Sequence, residues 1–507
     1  MLFDIAGFEY ETVCEGAVTD TEFRTSTDGE TLSAFLRAGK DRPMFVKLRW
    51  AFGCDGDTLV LGDAWERSYG DLRFRRPGGD GAAMPWYFTV RSGEKNFCFG
   101  VKTGCSSFVS FRLGEDGIAA LIDVRNGSRG VRLDGREVCL ATFVYKEYDS
   151  PDSFACLRDF CRGLCDKPML PDIPVIGGNN WYYAYGDSSF DEIVSDAKLQ
   201  AELAAGTGLT PFEVVDDGWE IGSTEGPWLP NERFGDMARL ASEIEKAGAI
   251  PGIWYRPLAN EREDITPDMR IGREGERRLD PTHPAVKELI KEDIKRMRAW
   301  GYRLLKHDFS TVDMFGSYGK DLTDTITNEE NWSFYDGART NAEVVLDLYR
   351  LIREACGDML VIGCNTVSHL CAGLVEINRI GDDTSGREFS RTVKMGVNTL
   401  AFRLAQNGAF YLADADCVGI MGGQDENIPW RLNKRWLDLL SVSGTALFVS
   451  CNRESATDEI RRDLHEAYMR YSRPHTLVPL DIYETPTPRR WSVDGTETVF
   501  DWEQNGK

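Results

Sequence analysis

The stretch RLLKHDFS, Arg303 to Ser310, decides how this chain is read. An apolar strand ends there in a lysine and a carboxylate two positions apart. Strand side chains alternate between faces with period two, so Lys306 and Asp308 point the same way. In a parallel barrel, both would reach the mouth at which barrel enzymes keep their chemistry. A second strand end of this kind follows in NRIGDDTSG (378–386), with Arg379, Asp382 and Asp383. Two carboxylates delivered by two strands of one barrel can act as nucleophile and general acid at a glycosidic bond.

Around these two stretches the rhythm is strand, then helix, repeatedly. Further apolar segments read as strands: NWYYAYG (180–186), FEVVDDGW (212–219), IPGIWYRPLA (250–259), MLVIGCNT (359–366), AFYLADADC (409–417) and ALFVSC (446–451). Amphipathic helices are predicted over 283–301, 340–357 and 389–408. The pattern fits a central (β/α)8 TIM barrel over 175–455; by pattern alone, a doubly wound sheet is the alternative. Residues 1–165 read as an N-terminal antiparallel β-sandwich domain with a connecting helix (152–164), because short β-branched and aromatic runs alternate with Gly, Asp and Asn. A three-proline linker, PMLPDIP (168–174), separates the two. A helix over 458–472 and a short C-terminal β element (470–507) complete the multidomain organisation.

The chain has 507 residues, 42% of them hydrophobic, which predicts two or three well-packed domains. Its 82 acidic against 59 basic residues leave a net charge of −23, which disfavours nucleic acid and anionic membranes as partners. Thirteen cysteines without CxxC pairs predict free thiols of a reducing cytoplasm. The N-terminus, MLFDIAGFEYETVCEG, has neither the basic nor the apolar region of a signal peptide, and no apolar run is long enough to span a bilayer. Five histidines, none paired at i, i+4, speak against a His-based metal centre. The expectation is an enzyme without cofactor or metal, acting on a small carbohydrate, with homo-oligomerisation left open.

Polar and aromatic groups gather at the C-terminal ends of the predicted strands. They are Trp181 and Tyr183, then Asp216, Asp217 and Trp219, then Trp254 and Arg256, then Lys306 and Asp308. Cys364 and Asn365 follow on the fifth, Arg379, Asp382 and Asp383 on the sixth, and Asp414 and Asp416 on the seventh. Unpartnered burial of so many carboxylates would cost several kcal/mol, so stability alone does not account for them. Asp, Lys and Arg with flat indole faces suit a sugar, whose hydroxyls need charged partners and whose C–H face stacks on aromatics. Taken singly, an aspartate after a strand is more often a turn or cap residue. Asp187, Asp313 and Asp336 read as solvated or capping, and one of Asp382 and Asp383 as a cap. Cys364 reads as a small packing residue rather than a nucleophile.

The strings VVDDGWE (214–220), PGIWYRPL (251–258), LDPTHPAV (279–286), LLKHDFS (304–310), VIGCNT (361–366), NRIGDDTSG (378–386) and FYLADADC (410–417) resemble the successive barrel motifs of glycoside hydrolase family 36, the bacterial α-galactosidase family, in the clan shared with family 27. NNWYYAYG (179–186) matches the first-strand motif. The resemblance implies a retaining α-galactosidase. Asp308 would be the nucleophile and Asp383, four residues after Arg379, the acid/base, with Asp382 in reserve. Asp216 and Asp217 would hold the 4-OH and 6-OH of galactose, Lys306 the 3-OH and 4-OH, and Arg379 the 2-OH region. Trp181 and Trp254 would line the subsite of the cleaved sugar, and the loop bearing Cys364 would line the region of its 2-substituent. Arg256 departs from the family pattern, and His307 is expected to face the wall.

Retention needs the two carboxyls about 5–5.5 Å apart. Lys306 is expected to hold Asp308 ionised, and repulsion from Asp382 to keep Asp383 protonated. The alternative readings are an α-N-acetylgalactosaminidase, an α-galactosyl transglycosylase of the raffinose-synthase kind, a catalytically silent sugar-binding protein and a metal-dependent barrel hydrolase.

Overall fold

Eight short parallel strands close a barrel in the computed structural model, which describes residues 2–78, 83–114, 117–273, 275–421 and 428–503. Barrel strands one to eight are Ile176–Asn179, Phe212–Val215, Ile250–Tyr255, Leu304–His307, Leu360–Gly363, Ile377–Arg379, Leu412–Asp414 and Leu447–Ser450. Each pairs in parallel with the next, and strand one pairs with strand eight. A single bridge between Asp414 and Ala446 joins strands seven and eight, with the Ala446 N–H donating to Ala413 at 2.8 Å. The strands are almost wholly buried, as expected when helices cover the outside and side chains fill the inside.

The first strand lies earlier than the sequence suggests. The strand is Ile176-Gly177-Gly178-Asn179, and the aromatic run predicted for it, Trp181–Ala184, forms one helical turn after it. The glycines are the reason. A Cβ on Gly177, whose φ is +149°, would meet the Phe212 carbonyl at 2.1 Å, and one on Gly178 would meet the Glu213 carboxylate at 2.3 Å. Strand two therefore approaches a backbone without side chains, which hydrophobic patterning cannot register.

The predicted helices form at Pro284–Ala299 and Asn341–Cys356, the second opened by a capping box of Thr340 and Glu343. The third is broken into Phe389–Thr392, a π-turn at Val393–Val397, Asn398–Arg403 and a 3-10 turn at Leu404–Gln406. Helices at Phe190–Ala204 and Met237–Ala247 complete the early crossovers. The fifth-to-sixth crossover is only the turn Ser368–Cys371. No described helix is long and apolar enough to cross a membrane.

Before the barrel, two antiparallel sheets face each other. One orders Ile5–Val13, Arg42–Trp50, Gly117–Asp123, Phe108–Gly114 and Met84–Pro85. The other orders Glu22–Thr27, Thr31–Arg37, Glu137–Tyr148, Lys95–Val101, Tyr87–Ser92 and Leu59–Gly62. Aromatic rings fill the space between them: Trp50 of the first sheet lies 4.9 Å from Phe99 and 5.3 Å from Phe143 of the second. Three short C-terminal strands, Leu477–Pro479, Arg490–Val493 and Thr496–Val499, make a separate antiparallel sheet.

The sandwich is stitched to the barrel mouth. Trp65 donates its indole N–H to the Thr323 carbonyl at 2.9 Å, and His369 stacks on Trp86 at 4.9 Å. Ser68 donates to the Ile380 carbonyl at 3.0 Å and accepts from the Asp382 N–H at 2.8 Å, adding one residue of the sandwich segment to the loop after strand six.

Candidate active site

Residues at the C-terminal ends of strands one to four, six and seven converge on one cavity of about 500 Å³, counting its open mouth. Eight of the ten residues put forward from sequence line it: Trp181, Asp216, Asp217, Trp254, Lys306, Asp308, Arg379 and Asp383. Asn179, Tyr182, Thr224, Phe309 and Asp416 line it as well.

Strand register explains the floor. Trp254 of strand three pairs with Lys306 of strand four, so both stand in one layer facing inward. Asp308, just beyond, accepts the Trp254 indole N–H at 3.3 Å and the Phe309 N–H at 2.7 Å. Phe309 sits in the left-handed region at φ 61°. That conformation is uncommon for a bulky side chain, and strain of this kind clusters at functional sites. Here it turns the chain at once into the helix Ser310–Phe315.

Lys306 forms its ion pair with Asp216, while the Asp308 charge acts on it more weakly. Its ammonium donates to Asp216 at 2.7 Å, both groups nearly inaccessible. Burial pulls the Lys306 pKa down, but the negative groups around it, Asp216 foremost and Asp308 among them, together outweigh that and hold the ammonium well above its usual range. Asp216 also accepts from the Asn179 side chain at 2.6 Å, and its own N–H donates to Asn180 at 2.7 Å. Its neighbour Asp217 is different. Burial, a hydrogen bond to Glu220, and the Glu220 and Asp216 charges push its carboxyl up to about 9. At neutral pH, then, Asp217 carries a proton and Asp216 balances the lysine.

The opposite wall comes from strands six and seven. Arg379 donates to Asp416 at 2.6 Å and to Asp383 at 3.0 Å. Asp416 is clamped further by the Tyr182 hydroxyl and by the N–H and hydroxyl of Thr384. The Asp383 side chain is 37% accessible at the mouth. Burial tends to raise it, but Arg379, Arg67, Lys306 and Arg391 outweigh that and hold it below the usual carboxylate range. The expected repulsion from Asp382 fails because Asp382 is itself neutralised, by Arg67 at 3.0 Å and Arg391 at 2.8 Å.

Two of the ten candidates stand behind the cavity lining. Asp382 turns away to those arginines, and Cys364 is buried with its Sγ 3.8 Å from an Arg379 amine. Burial, reinforced by the Asp308 charge, raises the Cys364 thiol far above its ordinary value, which suits a packing residue. His307 faces the wall against Tyr349, 5.7 Å away, and burial pushes it down to about 4.

Asp313 is neither solvated nor a simple cap. It is 3% accessible and holds Arg256 through two parallel bonds of 2.9 and 2.7 Å. Arg256 in turn covers the Phe309 ring at 4.3 Å, so this arginine is part of a buried scaffold beneath the rim. Asp187 is exposed and paired with Arg233, and Asp336 caps its own turn through the Ala338 N–H. Sequence reasoning missed Tyr182, which the aromatic run contains, and Phe309, which gives no sequence signal. It also missed Arg67, which reaches Asp383 from 316 residues away. No group of three or more His, Cys, Asp or Glu among the described residues is placed to hold a metal ion.

No protein-family profile and no curated protein sequence matches this chain. Solved structures do. TtGalA, an α-galactosidase from Thermus thermophilus in complex with p-nitrophenyl α-D-galactopyranoside, is 18% identical. That match has a TM-score of 0.61 and covers 94% of this chain and 99% of that one. The GH36 α-galactosidase AgaB from Geobacillus stearothermophilus is 14% identical, with a TM-score of 0.64 over 96% and 78% of the two chains. The galactosidase domain of the α-galactosidase-sucrose kinase AgaSK is 16% identical, with a TM-score of 0.61 over 96% and 75%. The likeness at these identities is one of fold: the sandwich and the barrel together.

Proposed function

We propose that this chain is a retaining, exo-acting glycoside hydrolase that removes terminal α-linked galactose from oligosaccharides or glycoconjugates. The observation that supports it most is the convergence of Asp308 and Asp383, from strands four and six, on one cavity furnished with Trp181, Trp254, Lys306 and an aspartate pair. The fold shared with α-galactosidases supports the same substrate class.

Asp308 attacks the anomeric carbon, its carboxylate aimed by the Trp254 and Phe309 N–H donors. Asp383 protonates the departing oxygen, then deprotonates the water that hydrolyses the glycosyl–enzyme ester. Because the free chain holds Asp383 ionised, it stands ready as the base of the second step and must take up a proton for the first. Lys306 and Asp216 meet the 3-OH and 4-OH as a donor and an acceptor. Protonated Asp217 adds a donor toward the 6-OH.

The test is an NMR time course on methyl and p-nitrophenyl α-galactosides. The expected first product is α-galactose, which then mutarotates. β-Galactose as the first product would exclude retention, and no cleavage of any α-galactoside would exclude the proposal.

A further inference from the structure

Arg67 belongs to the sandwich segment Trp65–Tyr69, yet its guanidinium reaches the barrel mouth. One amine lies 3.0 Å from Asp382 and another 3.5 Å from Asp383. The side chain is 9% accessible and sits between the rings of Tyr69 and Tyr318, at 5.8 and 5.9 Å. Its segment is pinned on three barrel loops. Glu66 accepts from the Gly319 N–H at 2.8 Å and from the Asn365 side chain, while Ser68 bridges Gly381. Tyr69 donates its hydroxyl to Glu66, which keeps the segment folded back beneath Arg67.

We propose that Arg67 is a positioning residue for Asp383, by which the N-terminal domain orients and electrostatically restrains the carboxyl that serves the barrel's chemistry. This rests on the reading of Asp383 as acid/base. Arg379 grips one Asp383 oxygen from inside the barrel, and Arg67 approaches that same oxygen from outside it. The two guanidiniums leave the other oxygen to the mouth, where a glycosidic oxygen would arrive. The other charged and titratable groups around Asp383 are Lys306 of strand four, Arg391 after strand six, Tyr182 and Tyr185 after strand one, and Asp416, which shares Arg379. Arg67 is the member of this set that the sandwich supplies.

A cation within 4–6 Å lowers a carboxyl by roughly 1–3 units, and the partial exposure of Asp383 places the effect of Arg67 at the low end of that range. The alkaline limb of kcat/KM reports the free enzyme's acid. In Arg67→Met, whose unbranched chain refills the slot between the tyrosines, that limb should therefore move up by about one pH unit. Arg67→Lys keeps the charge and should keep the limb close to wild type. Both are measured on methyl and p-nitrophenyl α-galactoside. The rate loss at each optimum should be larger on the methyl substrate, whose leaving group needs the proton. Should the Met variant not fold, Arg67→Gln takes its place with the same expectation. A limb that stays put in the neutral variant, or equal losses on both substrates, overturns the inference. If the wild type cleaves neither substrate, the function proposed above is what has failed. Wild-type turnover with an unmoved limb refutes the role of Arg67 alone.

Discussion

Asp216 and Asp217 are adjacent carboxyls with opposite duties, and replacing each by its amide separates them. Asp216 neutralises Lys306 across 2.7 Å with both side chains nearly inaccessible. Asp216→Asn therefore strands a buried ammonium, a loss of about 3–5 kcal/mol for a broken buried pair. That loss is in folding stability; in galactose affinity the lost charged acceptor should cost about 1.5–3 kcal/mol, roughly 10- to 140-fold at 1.4 kcal/mol per decade. Asp217 already holds a proton at neutral pH, pushed up to about 9. Asp217→Asn swaps a neutral carboxylic acid for an amide of the same shape and should cost within about tenfold, near the 1 kcal/mol of one neutral hydrogen bond. Galactose binding by titration calorimetry across neutral to alkaline pH checks both numbers. Wild-type affinity should fall as pH rises through 9, because ionised Asp217 then repels Asp216 and Glu220, and the Asp217→Asn variant should not show that fall. The stability linkage has the same sign. A carboxyl raised in the folded state contributes stability that is complete below its unfolded value, near 4, and lost as pH climbs to about 9. Equal losses in the two amides, or an alkaline fall that survives in Asp217→Asn, would refute the assignment.

Asp308→Asn should leave folding near normal and lower kcat by several orders of magnitude, measured by single-turnover release of p-nitrophenol; full activity in the folded variant removes Asp308 as nucleophile. Asp383→Ala should lose about 10²–10⁴-fold on methyl α-galactoside but far less in the first step on the p-nitrophenyl substrate. Similar losses on both would place the acid elsewhere. Arg256→Ala leaves Asp313 buried without one of its cations and should cost about 3–5 kcal/mol of stability, read as a lower melting temperature. A variant as stable as wild type would show that Arg278, 3.3 Å from Asp313, suffices alone.

Strands four and six were legible because a barrel strand buries both faces and so reads as an apolar run, after which a charged residue stands out. Strand one was not, since its glycines permit a close approach that hydrophobicity cannot signal. Asp313 looked like a cap because its partner, Arg256, lies 57 residues away. The charge on Asp383 was misjudged for a related reason: beside Arg379 and Arg391, its neighbours in sequence, it gains Arg67 from the sandwich and Lys306 from strand four only in the fold.

By itself the order of residues determined which carboxylates, lysine and indoles end up at strand termini, because periodicity and chain adjacency are local properties. Pairing was decided only in three dimensions. Lys306 chooses Asp216 over Asp308, Asp217 keeps a proton, and Arg67 reaches from the sandwich to the barrel mouth. Charge–charge energy depends on separation in space and on burial, and neither is written along the chain.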